Sequence, residues 1–193
     1  AGSGAAFECW YMGRERQTIP AYHTMETCVT FTWMQLCARL LDKTGNSFYA
    51  DPFERTMYNA LMAAMKDDGT QISKYSPLEG HRSQGEEQCG MCINCCNANG
   101  PRGYALIPKT ALTFKDNCLS VNLYLPMEAS FASGRNSVGV KLETGYPVDG
   151  KVRLSLDARK MSEFSLALRV PSWSEGKFAV TVNGEAQDCV PDN

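Results

Sequence analysis

Nine cysteines, at positions 9, 28, 37, 89, 92, 95, 96, 118 and 189, are the feature of this 193-residue chain with the most chemistry in it. Four fall within eight residues, Cys89-Gly-Met-Cys92-Ile-Asn-Cys95-Cys96. An odd total without regular spacing fits poorly with a disulfide-stapled secreted domain, and the crowding points to metal or thiolate chemistry. A zinc-type site needs about four N, S or O ligands in a tetrahedron. Cys95 and Cys96 are adjacent, so a turn must direct both at one ion, and Gly90, Asn94, Asn97, Asn99 and Gly100 permit such backbone. Cys89 and Cys92 offer further ligands. The Cys-x-x-Cys-x-x-Cys run also suits an iron–sulfur cluster, but the bacterial ferredoxin pattern wants three residues and then Cys-Pro. Here the fourth Cys follows at once and Pro101 comes five later. Unligated or disulfide-bonded cysteines are the third possibility.

A second constellation is Met25-Glu26-Thr27-Cys28. On a regular helix Glu26 and Cys28 lie ~200° apart, and they converge on one ion only if Glu26 sits at or before the first turn. Thr24 as N-cap would put them there. On periodicity alone the structural reading leads: Cys28 as a small buried residue, Glu26 as a carboxylate favoured near a helix N-terminus. His23 and His81 are the only histidines and form no His-x-x-x-His motif. Trp10 and Tyr11, near Glu8, suit a ligand-stacking wall or a core equally. Cys37, Cys118 and Cys189 fall on helix or strand patterns and read as packing residues. No Gly-Lys-Ser/Thr phosphate loop or Gly-x-Ser-x-Gly elbow is present.

These residues need elements to position them. Val29, Trp33, Leu36, Cys37, Leu40 and Leu41 recur at 3–4 spacing and predict a helix over about 26–43, stopped by Gly45-Asn46. Asp51 as N-cap, Pro52 at the first position and Glu54 three after the cap predict a second helix. Its buried face is Phe53, Met57, Ala60, Leu61 and Ala64, and Asp67-Asp68-Gly69 ends it. Residues 69–104 read as a long irregular stretch, which in a compact domain is functional or disordered; the cysteines favour functional. From Tyr104 the period switches to two. Leu119-Val121-Leu123-Leu125, Val138-Val140-Leu142, Val152-Leu154-Leu156, Phe164-Leu166-Leu168-Val170 and Phe178-Val180-Val182 alternate, separated by turn signals at 145–150, 174–176 and Asn183-Gly184. Short antiparallel strands with one buried face imply a β-sandwich. The reading is α+β, with a helical part at 1–104 that carries the thiolate site and a sandwich at 105–193.

Composition excludes other classes. Nineteen basic against 21 acidic residues, net −2, gives neither a nucleic-acid footprint nor a polybasic membrane patch. No apolar run approaches the ~20 residues of a spanning helix, and the start lacks the pattern of a signal peptide. The compartment, bacterial-type cytoplasm or periplasm, stays open. The chain lacks an initiator Met and stops just after strand-like sequence, so both ends are expected to be cut from something longer. Two amphipathic helices cannot bury their own stripes, so an upstream helical segment or a partner chain is expected to cover them.

His23-Thr-Met-Glu-Thr-Cys28 before an apolar helix, Tyr75-Ser-Pro-Leu-Glu-Gly80 and Asn94-Cys-Cys-Asn-Ala-Asn-Gly-Pro-Arg-Gly103 together resemble one family. It is glycoside hydrolase family 127, the β-L-arabinofuranosidase type, with its close relatives. Gly145-Tyr-Pro-Val-Asp-Gly150, Phe164-Ser-Leu-Ala-Leu-Arg-Val-Pro-Ser-Trp173 and Val182-Asn-Gly184 are similar to that family's first β-sandwich. The resemblance covers nearly the whole chain. It implies an (α/α)6 catalytic barrel, here in part, and zinc bound by Glu26, Cys28, Cys95 and Cys96. It makes Cys95 the nucleophile and Glu8 the acid/base, with Glu15 as runner-up. Tyr75, Glu79 and His23 would be substrate-side residues. The family's Cys-Cys is often followed by Pro-Pro-Asn, whereas here Asn-Ala-Asn-Gly-Pro follows, which places this chain on a divergent branch.

The resemblance implies a retaining, zinc-dependent glycosidase acting on a small carbohydrate or glycan, by double displacement with sulfur in place of the nucleophilic carboxylate. The isolated 193 residues are expected to be inactive, because a barrel site takes walls from most of its helices. The alternatives are a non-catalytic module, structural or carbohydrate-binding, stabilised by a saturated zinc site.

Overall fold

A computed structural model describes residues 23–77, 79–133, 136–158, 163–174 and 177–189. Glu8, Glu15, Trp10 and Tyr11 therefore lie outside the described residues. The chain divides into two compact units, Ala1–Thr113 and Phe114–Asn193.

In the first unit, helix α1 spans Thr27–Thr44. Its N-cap is Glu26, two residues later than the expected Thr24, and Gly45 in the left-handed region (φ 68) ends it with its N–H on the Leu41 carbonyl. Met25 takes φ 60, a turn that delays the start. The buried face is Thr27, Thr30, Phe31, Met34, Cys37 and Leu41. Of the expected stripe, Trp33 and Leu36 are instead 41% and 45% exposed. Thr30-Met34-Cys37-Leu41 and Val29-Trp33-Leu36-Leu40 share the same 3–4 spacing one residue apart, so periodicity cannot choose between them; packing against α2 and α3 does.

Helix α2 runs continuously through an α-helical Ala50–Thr56, a π-helical turn Met57–Leu61 and a final Met62–Ala64. Tyr49, in a short 3-10 turn, precedes it, and Asp51 lies within the first turn rather than at the cap. The expected face is the buried one: Phe53, Met57, Ala60, Leu61 and Ala64. Arg82 donates from Nη1 to the Met65 and Ala63 carbonyls and pairs with Asp67 at 3.3 Å, so a cation closes the helix C-terminus.

Helix α3 spans Cys95–Ala111 and was unexpected, because Gly100, Pro101, Gly103 and Pro108 lie inside it. The switch to strands comes at Leu112, not Tyr104. The glycines have a packing reason. A Cβ at Gly100 would stand 2.7 Å from both Cγ1 and Cγ2 of Ile72, and one at Gly103 would stand 2.9 Å from Leu61 Cδ1. Close approach of α3 to its neighbours is what the glycines permit.

Strand β1 (Leu112–Lys115) runs across the boundary of the units, and the second unit holds β2 (Cys118–Val121), β3 (Met127–Ser133), β4 (Asn136–Thr144), β5 (Val152–Asp157), β6 (Ser165–Leu168), β7 (Val180–Val182) and β8 (Glu185–Gln187). They form sheets β1-β2-β6, β3-β4-β5 and β7-β8. Pairing is antiparallel in β3-β4-β5 and β7-β8, while β2 and β6 pair parallel, Cys118↔Ser165 to Val121↔Leu168. Leu119, Val121, Leu123, Val138, Val140 and Leu142 are the core. Asn183 and Gly184, both at positive φ, turn β7 into β8 as the Asn-Gly signal predicts. On β5 and β6 the alternation does not close a core, since Val152, Leu156 and Leu166 stay exposed. Of the three cysteines expected to pack, Cys37 is buried and Cys118 half-buried, but Cys189 follows β8 and is exposed. Among the described residues no helix is long and apolar enough to cross a membrane.

The two glycines of α3 separate by magnitude. Gly100→Ala drives a methyl into the branch point of Ile72 and should destabilise by about 1–3 kcal/mol. Gly103→Ala meets only the tip of Leu61, and the helix propensity gained, about 1 kcal/mol, should leave it near wild type. Thermal unfolding of both variants checks this, and an unfolding temperature for Gly100→Ala at or above wild type contradicts the packing account.

Candidate metal centre

Glu26 is extended (φ −68, ψ 134) and Cys28 stands in the first turn that follows. This is the condition under which a Glu-x-Cys pair can share one ion. The approach is fixed by the chain returning from α2. The Thr27 N–H donates to the Lys74 carbonyl at 3.0 Å, the Thr27 hydroxyl to the Ser73 carbonyl at 2.7 Å and the Ser76 N–H to the Met25 carbonyl at 3.3 Å. Glu26 and Tyr75 form an antiparallel bridge, and Tyr75 forms another with Ser83. Within the stretch expected to be irregular, residues 73–76 are thus held beside the start of α1 by isolated bridges and backbone hydrogen bonds.

Cys95 and Cys96 are the first two residues of α3. Asn94 caps the helix: its Oδ1 accepts from the Cys96 N–H at 3.1 Å, while its own N–H donates to Asn97 Oδ1 at 2.9 Å. Its Nδ2 donates to the Gln84 carbonyl at 2.6 Å. Gln88 Oε1 takes the Cys95 N–H at 2.8 Å. Free N–H groups at a helix start need such partners, and here they also set the direction of two thiols.

The result is one cluster. The ligand atoms of Glu26, Cys28, Cys95 and Cys96 all lie within 4.8 Å of one another. The Cys28 thiol donates to Cys95 Sγ at 3.1 Å and lies 3.3 Å from Cys96 Sγ, and Cys96 Sγ is 3.8 Å from Glu26 Oε1. A disulfide needs ~2.05 Å, so these are separate thiols. Zinc–sulfur bonds of ~2.3 Å in a tetrahedron put sulfurs about 3.8 Å apart; the cluster needs only a slight expansion. Three sulfurs and one carboxylate are also the donor chemistry that zinc takes. The residues fit the ion.

The thiols hold their protons in one another's company. The Cys96 hydrogen bond, then burial, raise the Cys28 thiol well above its ordinary range, against the Asn99 amide, which favours the thiolate. Burial first, then the hydrogen bond and charge of Cys28, push Cys95 up to about 11. A bound cation reverses that balance, because a coordinating thiol loses its proton.

Among the residues singled out from sequence, Tyr75 is buried next to Glu26, and His23 packs edge-on against its ring with centroids 5.0 Å apart. Glu79 is exposed on the bend beyond and is not one of the four clustered groups. Cys89 and Cys92 stay outside the cluster. Both have positive φ, 58 and 56, and are exposed on a loop closed by the Gln88 N–H on the Ile93 carbonyl at 2.9 Å. Sequence reasoning missed three residues near the site. Lys74 is buried, with Nζ 5.2 Å from the Tyr75 ring centroid. Gln88 anchors the start of α3, and Asn99 reaches Cys28. Only the Asn-x-x-Asn capping pattern before α3 gave a signal that the helix begins here.

Comparison with known proteins gives the same two-part division. Residues 2–109 match the family model described as the β-L-arabinofuranosidase GH127 catalytic domain, and residues 118–193 match the GH127 middle domain. A curated relative, a non-reducing end β-L-arabinofuranosidase of Bifidobacterium longum, is 29% identical over 175 residues, 83% of this chain and 26% of its own length. A solved GH127 β-L-arabinofuranosidase from Geobacillus stearothermophilus aligns with TM-score 0.69 and 32% identity over 89% of this chain and 28% of that one. A second solved structure, a GH127 β-arabinofuranosidase, has TM-score 0.77 at 24% identity over 98% of this chain and 32% of that one, a likeness of fold. The chain spans about a quarter to a third of these relatives. The three helices and the mainly antiparallel sheets are thus part of an (α/α)6 barrel followed by a β-sandwich.

The ligand set predicts how metal content responds to mutation. Cys28→Ala should lose most bound zinc and Cys89→Ala should keep about one ion per chain, by elemental analysis of purified protein. Metal lost from Cys89→Ala and kept by Cys28→Ala would reverse the assignment.

Proposed function

Because the chain belongs to the β-L-arabinofuranosidase family GH127, we propose that it is part of a retaining glycoside hydrolase that cleaves β-L-arabinofuranosides or a closely related sugar. Cys95 is the nucleophile. The observation that supports this best is the inequality of the three clustered sulfurs. Cys96 is fully buried, Cys28 half-buried and Cys95 exposed. Of the three, Cys95 is the one that a sugar arriving from solvent can meet.

Glu26, Cys28, Cys95 and Cys96 would hold zinc, which when bound keeps the thiols ionised at neutral pH. Cys95 Sγ attacks the anomeric carbon; a carbon–sulfur bond forms as the bond to the leaving oxygen breaks. A carboxylic acid gives that oxygen its proton, and Glu8 is our assignment, with Glu15 second. The same group, now a carboxylate, takes a proton from water, whose oxygen displaces the sulfur. Two inversions give retention. Tyr75 and His23, beside Glu26, line the sugar's place, and Glu79, exposed on the outer bend, is assigned to its rim. The remaining walls come from barrel helices of an upstream segment or a partner chain.

One observation favours a second reading: four protein ligands already complete a tetrahedron, as in structural zinc sites. A mechanism-based sugar electrophile separates the two. In the complete protein it should label Cys95 alone, and an absence of labelling supports a structural ion. Cys95→Ala should abolish turnover, with zinc content measured in the same sample to separate loss of nucleophile from loss of metal. Glu8→Gln should slow an unactivated substrate by about 10²–10⁴-fold and an aryl glycoside much less. Equal losses on both would move the acid/base role to Glu15 or elsewhere.

A further inference from the structure

Cys28 and Phe31 lie one turn apart on α1, and Asn99 and Arg102 one turn apart on α3. The two pairs interlock. Asn99 Nδ2 donates to Cys28 Sγ at 3.1 Å, Arg102 Nη1 donates to Asn99 Oδ1 at 3.0 Å, and the Arg102 guanidinium lies 4.7 Å from the centroid of the Phe31 ring. Arginine has donors and no acceptor. It therefore holds the amide oxygen on its own side, and the amide NH2 must face the sulfur. Phe31, buried, holds the guanidinium in turn.

We propose that Asn99, oriented by Arg102, is a positioning residue that fixes Cys28 as the anchored sulfur of the metal centre and so leaves Cys95 as the sulfur free to react. The proposal rests on the zinc reading above and adds to it the reason why one thiol rather than another is the nucleophile. A sulfur that accepts an N–H bond has a lone pair engaged and a fixed direction, and both reduce its power to attack carbon. Cys96 is immobilised otherwise, wholly buried with Glu26 Oε1 at 3.8 Å and the Lys74 carbonyl at 3.9 Å. Cys95 Sγ accepts no N–H bond among the described residues; its close neighbour is the Cys28 thiol at 3.1 Å. Exposure and the lack of an N–H donor coincide on the same atom.

The test uses the complete protein, with zinc and with cobalt(II) as a spectroscopic probe of the same ligands. Asn99→Leu keeps the size of the side chain and removes the donor; Arg102→Ala keeps the donor and removes its guide. Asn99→Leu should weaken zinc by about 10–100-fold in chelator competition, the usual effect of removing a partner that orients a ligand. Its sulfur-to-cobalt charge-transfer band should move to lower energy, because the bound sulfur is no longer stabilised by an N–H. Arg102→Ala should shift both in the same direction by less, and it carries the comparison if Asn99→Leu does not fold. Wild-type zinc affinity with an unmoved cobalt band, in Asn99→Leu or, failing that, in Arg102→Ala, overturns the proposal and leaves the metal site standing. If the unmutated protein binds neither ion, the zinc reading falls and this proposal with it.

Discussion

Two helix N-termini aim at one point. The start of α1 brings Glu26 and Cys28, the start of α3 brings Cys95 and Cys96, and the four ligand atoms meet within 4.8 Å. A helix N-terminus carries unpaired N–H groups and the positive end of the macrodipole. Either end alone favours an anion; two facing ends favour a concentration of negative charge that a chain otherwise avoids. Without a cation the thiols hold their protons more tightly than free cysteine, Cys28 through its hydrogen bond with Cys96 and then burial, Cys95 through burial first. The cluster is therefore poised for a cation, whose arrival favours all the charges at once.

The rest of the helical unit serves this meeting. Residues 73–76 lie along the chain before α1 and hold Met25 and Thr27 by backbone hydrogen bonds. Gly100 and Gly103 let α3 approach Ile72 and Leu61, which sets how near the two helix starts come. Asn94 and Gln88 satisfy the N–H groups of Cys96 and Cys95 from the loop, so that loop, although mostly without regular structure, is part of the site's frame. A loose loop would leave two adjacent thiols pointing ~100° apart with nothing to set their direction.

What could be seen in the sequence followed from how unusual each residue type is. Four cysteines in eight residues and a Glu-x-Cys before a helix carry a chemical signal that survives ignorance of the fold. Asn99 carries none, since an asparagine after a helix start is ordinary and its contact with Cys28 depends on two helices meeting. The α1 face is ambiguous in the sequence because two stripes have identical spacing and packing decides between them. Helix α3 was hidden by Gly100, Pro101, Gly103 and Pro108, whose local preference is overridden by an Asn94–Asn97 capping box and by close packing. In the second unit the Asn183-Gly184 hairpin was legible because its signal is local. The parallel pairing of β2 with β6 was not, because strand partners far apart in sequence leave no mark on either strand.

The same element, sulfur, meets several fates in one short chain, and surroundings alone decide them. Cys37 is buried on α1, where desolvation raises its thiol to about 11 and outweighs a backbone hydrogen bond that favours the thiolate. Cys89 and Cys92 stand on an exposed loop, outside the cluster that the carboxylate and helix starts create. Cys96 has the helix start and complete burial, which suit a ligand that never leaves. Cys28 has the helix start and an amide donor that fixes its direction. Cys95 has the helix start and an open side. A reactive thiolate needs a source of ionisation and a path to its target together; in the proposed reading a bound cation supplies the first, and among the clustered sulfurs the open side of Cys95 supplies the second.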